Sequence, residues 1–351
     1  MSPGGAVKKE QTTITDVAEK AGVSVGTVSH VINRTRPVSE ELSERVLKVA
    51  EELDYRPNLV ARGLRSKRTS TMGIIVSNLE NPYYTEIVRA VQDSAAESDH
   101  NVIICNSYED PEIEADHIVT LRSRQIDGLI IAPTKSDHGL LASLAEQRFP
   151  LVVVSRRRPD LGVPTVITNN RAAAHQATRH LIDGGCQRVG LLVHGLGASV
   201  AEDQEYGYRA ALAEAGRPYK AELVGVGRNT IDGALEAAER LMEQPNPPDS
   251  VVCGTALMTL GVLRYLAGRD LRCPEDLGVI GFGNMPWAEV LTPRLTCVTQ
   301  PTHAIGREAS RLLIDQIENR AIRPAPVVTL PCGFRHRGSC GCVSTQLELG
   351  S

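Results

Sequence analysis

From residue 72 onward the chain repeats one pattern twice, and few folds accommodate it. Short apolar runs at residues 73–76, 102–105, 128–132 and 151–154 are each followed by helical periodicity. A second series, at residues 189–193, 223–226, 251–253 and 279–282, begins after Thr168. Near-continuous apolar strands joined by crossover helices make parallel sheets covered on both faces. The pattern predicts two doubly wound α/β lobes sharing a cleft at the carboxyl ends of the strands, where open sheets bind ligands. With 8 Tyr, 3 Phe and 1 Trp in 351 residues, both cores must be aliphatic.

The residues before this region differ in charge. Residues 1–70 carry 12 Lys and Arg against 9 Asp and Glu, whereas the rest of the chain carries 26 against 33. No acidic residue occurs between Tyr55 and Leu79, while Arg56, Arg62, Arg65, Lys67 and Arg68 do. A cationic segment of this kind is the electrostatic footprint of a polyanion contact.

Upstream, the pattern is helical. Thr13 followed by Asp16 reads as an N-cap and acidic N3, and Val17, Ala18 and Ala21 supply one apolar face before Gly22 ends the turn. Ser24 caps a second helix in which Val28, Val31 and Ile32 point inward while Val25, Gly26, Thr27, Ser29 and His30 point out. Residues 40–53 are an amphipathic third helix. This is a helix-turn-helix unit, whose second helix enters the major groove of double-stranded DNA. Val25, Gly26 and His30 are the candidate base readers, and Ser or Thr hydroxyls are suited to phosphates.

These residues carry a resemblance. The stretch Thr15 to Ala18, Ala21 to Ser24, Thr27 to Ser29, Val31 to Asn33, Tyr55 to Asn58 and Ala61 to Arg65 resembles the lactose/galactose repressor family of bacterial transcription regulators. Asn81 to Tyr84, Asp127 to Ile130, Pro274 to Phe282 and Arg337 to Cys340 extend the likeness over nearly the whole chain. The resemblance implies a homodimer on a palindromic operator. It implies DNA contacts from Thr13, Ser24, Val25, Gly26, Thr27, Ser29, His30, Asn33, Tyr55, Asn58, Ala61, Arg62, Leu64 and Arg65. Residues 57–65 would become a hinge helix only on DNA, with Leu64 as a minor-groove wedge. Physics agrees, because a segment this short and cationic is no stable helix alone.

The resemblance also implies a periplasmic-binding-protein-like core that crosses between lobes near residues 168, 295 and 330. The expected domains are a head at 1–54, with 1–11 lacking order, and a hinge at 55–71. The core follows at 72–340, with lobe 1 at 72–168 and 296–329 and lobe 2 at 169–295 and 330–340, and a tail at 341–351. With no terminal heptad run, a dimer is expected rather than a tetramer.

In the cleft the family pattern is departed from. Gly283, Gln204, Thr255-Ala256 and Ser155 stand where relatives usually carry aspartate, arginine, asparagine-aspartate and aspartate, and Asn169-Asn170 stands for an aspartate-asparagine pair. The expectation is a small effector of unknown identity that is not a typical sugar. Neutral groups would hold it: Asn78, Tyr83, Tyr84, Ser155, Asn169, Gln204, Thr255 and Asn284, with Trp287 nearby. A vestigial cleft with control by a protein partner is the alternative.

Other classes find less support. No phosphate loop, nucleophile elbow, complete dinucleotide fingerprint or His-Glu-x-x-His string occurs, so an enzyme is not expected, and no cofactor is implied. No run of eighteen apolar residues or signal-peptide region is present, which favours a cytoplasmic, nucleoid-associated protein over a membrane protein or secreted solute receptor. The 8 cysteines are irregularly spaced and read as reduced core residues. Cys332, His336, Cys340 and Cys342 near the end lack paired Cys-x-x-Cys units, so no metal is expected.

Overall fold

The computed structural model describes residues 12–33, 36–55, 68–134, 139–195, 199–318 and 325–342. Two compact units divide the chain, Met1–Thr69 and Ser70–Ser351.

In the first unit, α1 (Ile14–Ala21), α2 (Val25–Asn33) and α3 (Glu40–Glu52) enclose a small aliphatic core. Thr13 and Asp16 form the expected capping box, which satisfies orphan N–H groups at the start of α1. Gly22 ends α1 in the left-handed region at φ 67°, a conformation that costs a residue with a Cβ roughly 1–2 kcal/mol. Val17, Val28 and Val46, one from each helix, are fully buried. Thr12 Oγ1 donates to Leu53 O at 2.9 Å, tying the start of the bundle to its end. The tight turn between α1 and α2 is the arrangement that the alternation of Gly22 and Ser24 predicts.

The second unit holds two six-stranded sheets. The first contains β1 (Thr71–Val76), β2 (Asn101–Asn106), β3 (Gly128–Ile131), β4 (Leu151–Val154), β5 (Thr165–Thr168) and β11 (Val327–Leu330), in the order β11-β5-β4-β3-β1-β2, all parallel. On one face Ile74, Ile130 and Val152 pack against α4 (Pro82–Glu97) and α11 (Thr302–Ile317). On the other, Ile75, Ile131 and Val153 meet α5 (Pro111–Ser123) and α6 (Leu140–Glu146). Successive strand residues face opposite layers, so a strand buried on both sides must be apolar throughout.

The second sheet contains β6 (Val189–His194), β7 (Val224–Gly227), β8 (Ser250–Cys253), β9 (Gly278–Phe282), β10 (Thr296–Thr299) and β12 (Gly333–Arg335), ordered β12-β10-β9-β8-β6-β7. Only β12 runs antiparallel, against β10. Its faces are covered by α7 (Asn170–Asp183) and α8 (Ser199–Glu214), and by α9 (Ile231–Met242) and α10 (Ala256–Gly268).

One expected boundary is corrected. Thr296 and Cys297 pair with Ile280 and Gly281 of β9, so residues 296–299 belong to the second lobe, not the first. The chain returns to the first lobe after β10, with α11. No described helix is long and apolar enough to cross a membrane.

Candidate functional site

On the head, α2 presents Ser24, Val25 and Gly26 to solvent, with Val25 39% exposed. Thr27 N donates to Ser24 Oγ at 3.1 Å, and the two hydroxyls lie 2.9 Å apart, so Ser24 caps the helix it precedes. Ser29 and His30 are half-buried on the same helix, and Thr13 is exposed at the start of α1. Tyr55 packs on the helical core. A Cβ at Gly26 would meet only Ser24 Oγ, at 3.6 Å. The head's own packing therefore does not require glycine there. The Asn33 side chain and Asn58, Ala61, Arg62, Leu64 and Arg65 lie outside the described residues, as do residues 1–11.

In the core, strand ends of both lobes converge on a narrow, partly open cleft, whose cavity leaves about 30 Å³ for the centres of water-sized occupants. Of the residues singled out in the sequence, Tyr83, Tyr84, Ser155 and Thr255 line it, together with Asn81, Asn170, His194, Asn229 and Gln300. Tyr83 Oη and Ser155 Oγ are 3.0 Å apart. Burial, reinforced by the neighbouring Tyr84, pushes the Tyr83 phenol well above its ordinary value, so it stays a neutral donor. Ser155 sits at φ 66°, a costly conformation for a residue with a Cβ, at the point where β4 runs out into the cleft.

Two predicted residues support the frame instead of lining the cavity. Asn78 Nδ2 donates to Asn229 O at 2.7 Å across the lobes, and Gln204 Nε2 donates to Gly254 O at 2.8 Å. Three others are placed elsewhere. Asn169 Oδ1 accepts from Cys332 N at 2.7 Å at a crossover, Asn284 Oδ1 accepts from Arg337 Nη2 at 2.8 Å, and Trp287 packs on the α9–α10 core.

Beside the cleft, though not among the residues that line it, stands an ion pair that the sequence reading did not include. Arg156 Nη2 lies 2.6 Å from Glu109 Oε1, and Nη1 donates to Pro133 O at 2.8 Å. Asn229 Nδ2 reaches the same carboxylate from the other lobe at 3.2 Å. Burial raises the Glu109 carboxyl, but the Arg156 charge and its hydrogen bonds outweigh this and hold it below the usual carboxylate range. A second interlobe clasp joins Arg157 Nη2 to Asp203 Oδ1 at 2.9 Å, with Arg157 N donating to Ser199 Oγ at 3.0 Å.

His194, at the carboxyl end of β6, was missed by sequence reasoning, although the strand-end rule points to it. Burial lowers its pKa to about 4, so the ring is neutral. Its Nδ1 has no partner, and neither does Asn229 Oδ1 or Gln204 Oε1. The amides cannot resolve this by flipping, because Asn229 Nδ2 faces a carboxylate and Gln204 Nε2 a carbonyl. Both orphaned amide atoms are acceptors.

A helix-turn-helix head attached to a two-lobed core with a polar interlobe cleft defines a DNA-binding regulator with a receptor-like core. Residues 13–58 match the model of bacterial regulatory proteins of the lacI family. Residues 69–335 match that of periplasmic binding proteins and the sugar binding domain of the LacI family. The chain belongs to the LacI family of DNA-binding transcriptional regulators and is not an enzyme. It is 33% identical over 328 residues to catabolite control protein A of Priestia megaterium, covering 93% of this chain and 98% of that protein. It is also 33% identical over 311 residues to the transcriptional repressor PurR of Photorhabdus laumondii subsp. laumondii, covering 88% and 91%. The fold matches the lac repressor dimer bound to operator and the anti-inducer ONPF with a TM-score of 0.83 at 23% identity, over 94% of this chain and 99% of that one.

Proposed function

We infer that the chain is a repressor that binds a palindromic operator as a homodimer and is controlled by a small effector held between the lobes. The observation that carries the effector reading is the set of buried, unpaired polar atoms at the cleft: His194 Nδ1 and Asn229 Oδ1 on the cavity wall, with Gln204 Oε1 behind it. Leaving a buried acceptor unpaired costs about 1–3 kcal/mol, which a ligand with N–H or O–H donors recovers. The Asn78–Asn229 and Arg157–Asp203 links join the lobes beside the cavity, so an effector larger than the present space parts them and selects a different lobe arrangement. The departures at Ser155, Gln204, Thr255 and Gly283 favour an effector other than a typical free sugar.

The DNA reading assigns α2 to the major groove, where the bare backbone at Gly26 allows close approach, and residues 57–65 to the minor groove. Fluorescence anisotropy with palindromic promoter fragments tests it. Tight, salt-dependent binding of dimers is expected, and equal affinity for scrambled duplexes overturns it. For the cleft, a thermal-shift screen of metabolites with the full chain should return a stabilising ligand. His194→Ala should abolish that shift. Micromolar calorimetric binding of an ordinary mono- or disaccharide refutes the non-sugar assignment, and a screen with no ligand favours control through a protein partner.

A further inference from the structure

Apart from the cleft residues, the second lobe gathers a cluster of soft ligands. His180, in the last turn of α7, faces Cys340 and Cys342 from the segment after β12, and the three ligand atoms lie within 4.8 Å of one another. Cys340 Sγ is 3.4 Å from His180 Nε2. A tetrahedral zinc ion with Zn–S near 2.3 Å and Zn–N near 2.1 Å sets its ligand sulfur and nitrogen about 3.6 Å apart and two sulfurs about 3.8 Å apart. The His180–Cys340 edge already has this length. Cys342 needs to close in by at most about 1 Å.

The backbone around the cluster is shaped to keep both thiols there. Gly341, between the cysteines, takes φ 70°, which bends the chain back and is strained for any residue with a Cβ. A Cβ at Gly184, just past α7, would lie 2.3 Å from Cys342 Sγ, so the absence of a side chain makes room for the thiol. His336, whose ring centroid is 4.9 Å from that of His180, stands beside the triad, and Cys186 packs in the same apolar cluster. The sequence expectation of no metal rested on the lack of paired Cys-x-x-Cys units; His180 lies 160 residues from Cys340 and joins the cysteines only in three dimensions.

We propose that His180, Cys340 and Cys342 bind a soft divalent cation of the zinc type, which pins the end of α7 to the last segment of the second lobe. The two thiols give up their protons as the metal–sulfur bonds form, and the imidazole binds neutral.

The test uses the full chain, reduced, stripped with a chelator and titrated with cobalt(II) as a spectroscopic probe. One equivalent should produce a thiolate-to-cobalt charge-transfer band and the intense visible bands of a tetrahedral site, which zinc then displaces. Zinc should also raise the melting temperature. Cys342→Ser, at a half-buried position, should weaken zinc binding by at least roughly 100-fold and remove the thermal shift. Cys105→Ser, in the first lobe, should change neither. The proposal fails if cobalt gives no tetrahedral thiolate spectrum, or if the spectrum survives in a folded Cys340→Ser, Cys342→Ser variant. It also fails if peptide mapping finds either thiol in a disulfide in protein isolated from a reducing cytosol.

Discussion

His194 should make the core's stability pH-dependent, and the size of the effect follows from its surroundings. In the unfolded chain the imidazole titrates near 6.5, whereas burial lowers it to about 4 in the fold, against the attraction of Glu109 and with help from Arg156. The folded state therefore disfavours the proton. Stability from this group is fully present above pH 6.5 and is lost as pH falls from 6.5 toward 4. Between pH 7.5 and pH 5 the linkage amounts to about 2 kcal/mol, or roughly a 30-fold change in the folding equilibrium. The assay is urea unfolding of the full chain at both pH values, compared with His194→Gln, which keeps a neutral polar side chain but cannot titrate. Other groups titrate in both proteins, so the difference between them isolates His194. The expected result is that the wild-type loses about 2 kcal/mol more than the variant on acidification. Equal losses, or an imidazole proton resonance titrating near 6.5 in the native protein, refute the reasoning.

Other expectations follow from the same geometry. Glu109→Gln leaves the buried Arg156 guanidinium without its counter-charge and should destabilise the core by roughly 3 kcal/mol, read as a lower denaturation midpoint with unchanged m-value. His30→Arg should tighten binding to half-sites with guanine by about 1–3 kcal/mol, because arginine can contact a guanine in bidentate fashion; a binding selection returning the same motif and affinity counts against His30 as a reader. Leu64→Ala should remove most of the operator bend measured by circular-permutation gel shift, since the wedge that unstacks a base step is lost; an unaltered bend sinks the assignment.

Much of the head was readable in the linear chain because its determinants are local. Thr13 and Asp16 cap α1 three residues apart, Gly22 supplies a left-handed turn, and Val28 and Val31 lie at helical spacing. The strands were equally visible, since a strand covered on both faces is apolar residue after residue. Assignment of β10 to a lobe was not, because a short strand such as Thr296–Thr299 reveals its partner only through pairing with Ile280 and Gly281. Tyr83, Tyr84, Ser155 and Thr255 line the cleft, whereas Asn169, Asn284 and Trp287, close to such positions in the sequence, spend their contacts elsewhere.

Sequence by itself thus determined the order of elements, the faces they bury and the two-part architecture, because caps, turns and hydrophobic periodicity act over a few residues. Tertiary structure alone decided the electrostatics of the cleft and the grouping of soft ligands. Arg156 meets Glu109 across 47 residues, Asn229 meets Glu109 across 120, and His180 meets Cys340 across 160. Burial then changes the chemistry of each group. No local pattern encodes those encounters, because they depend on which helix packs on which sheet and on how closely the two lobes meet.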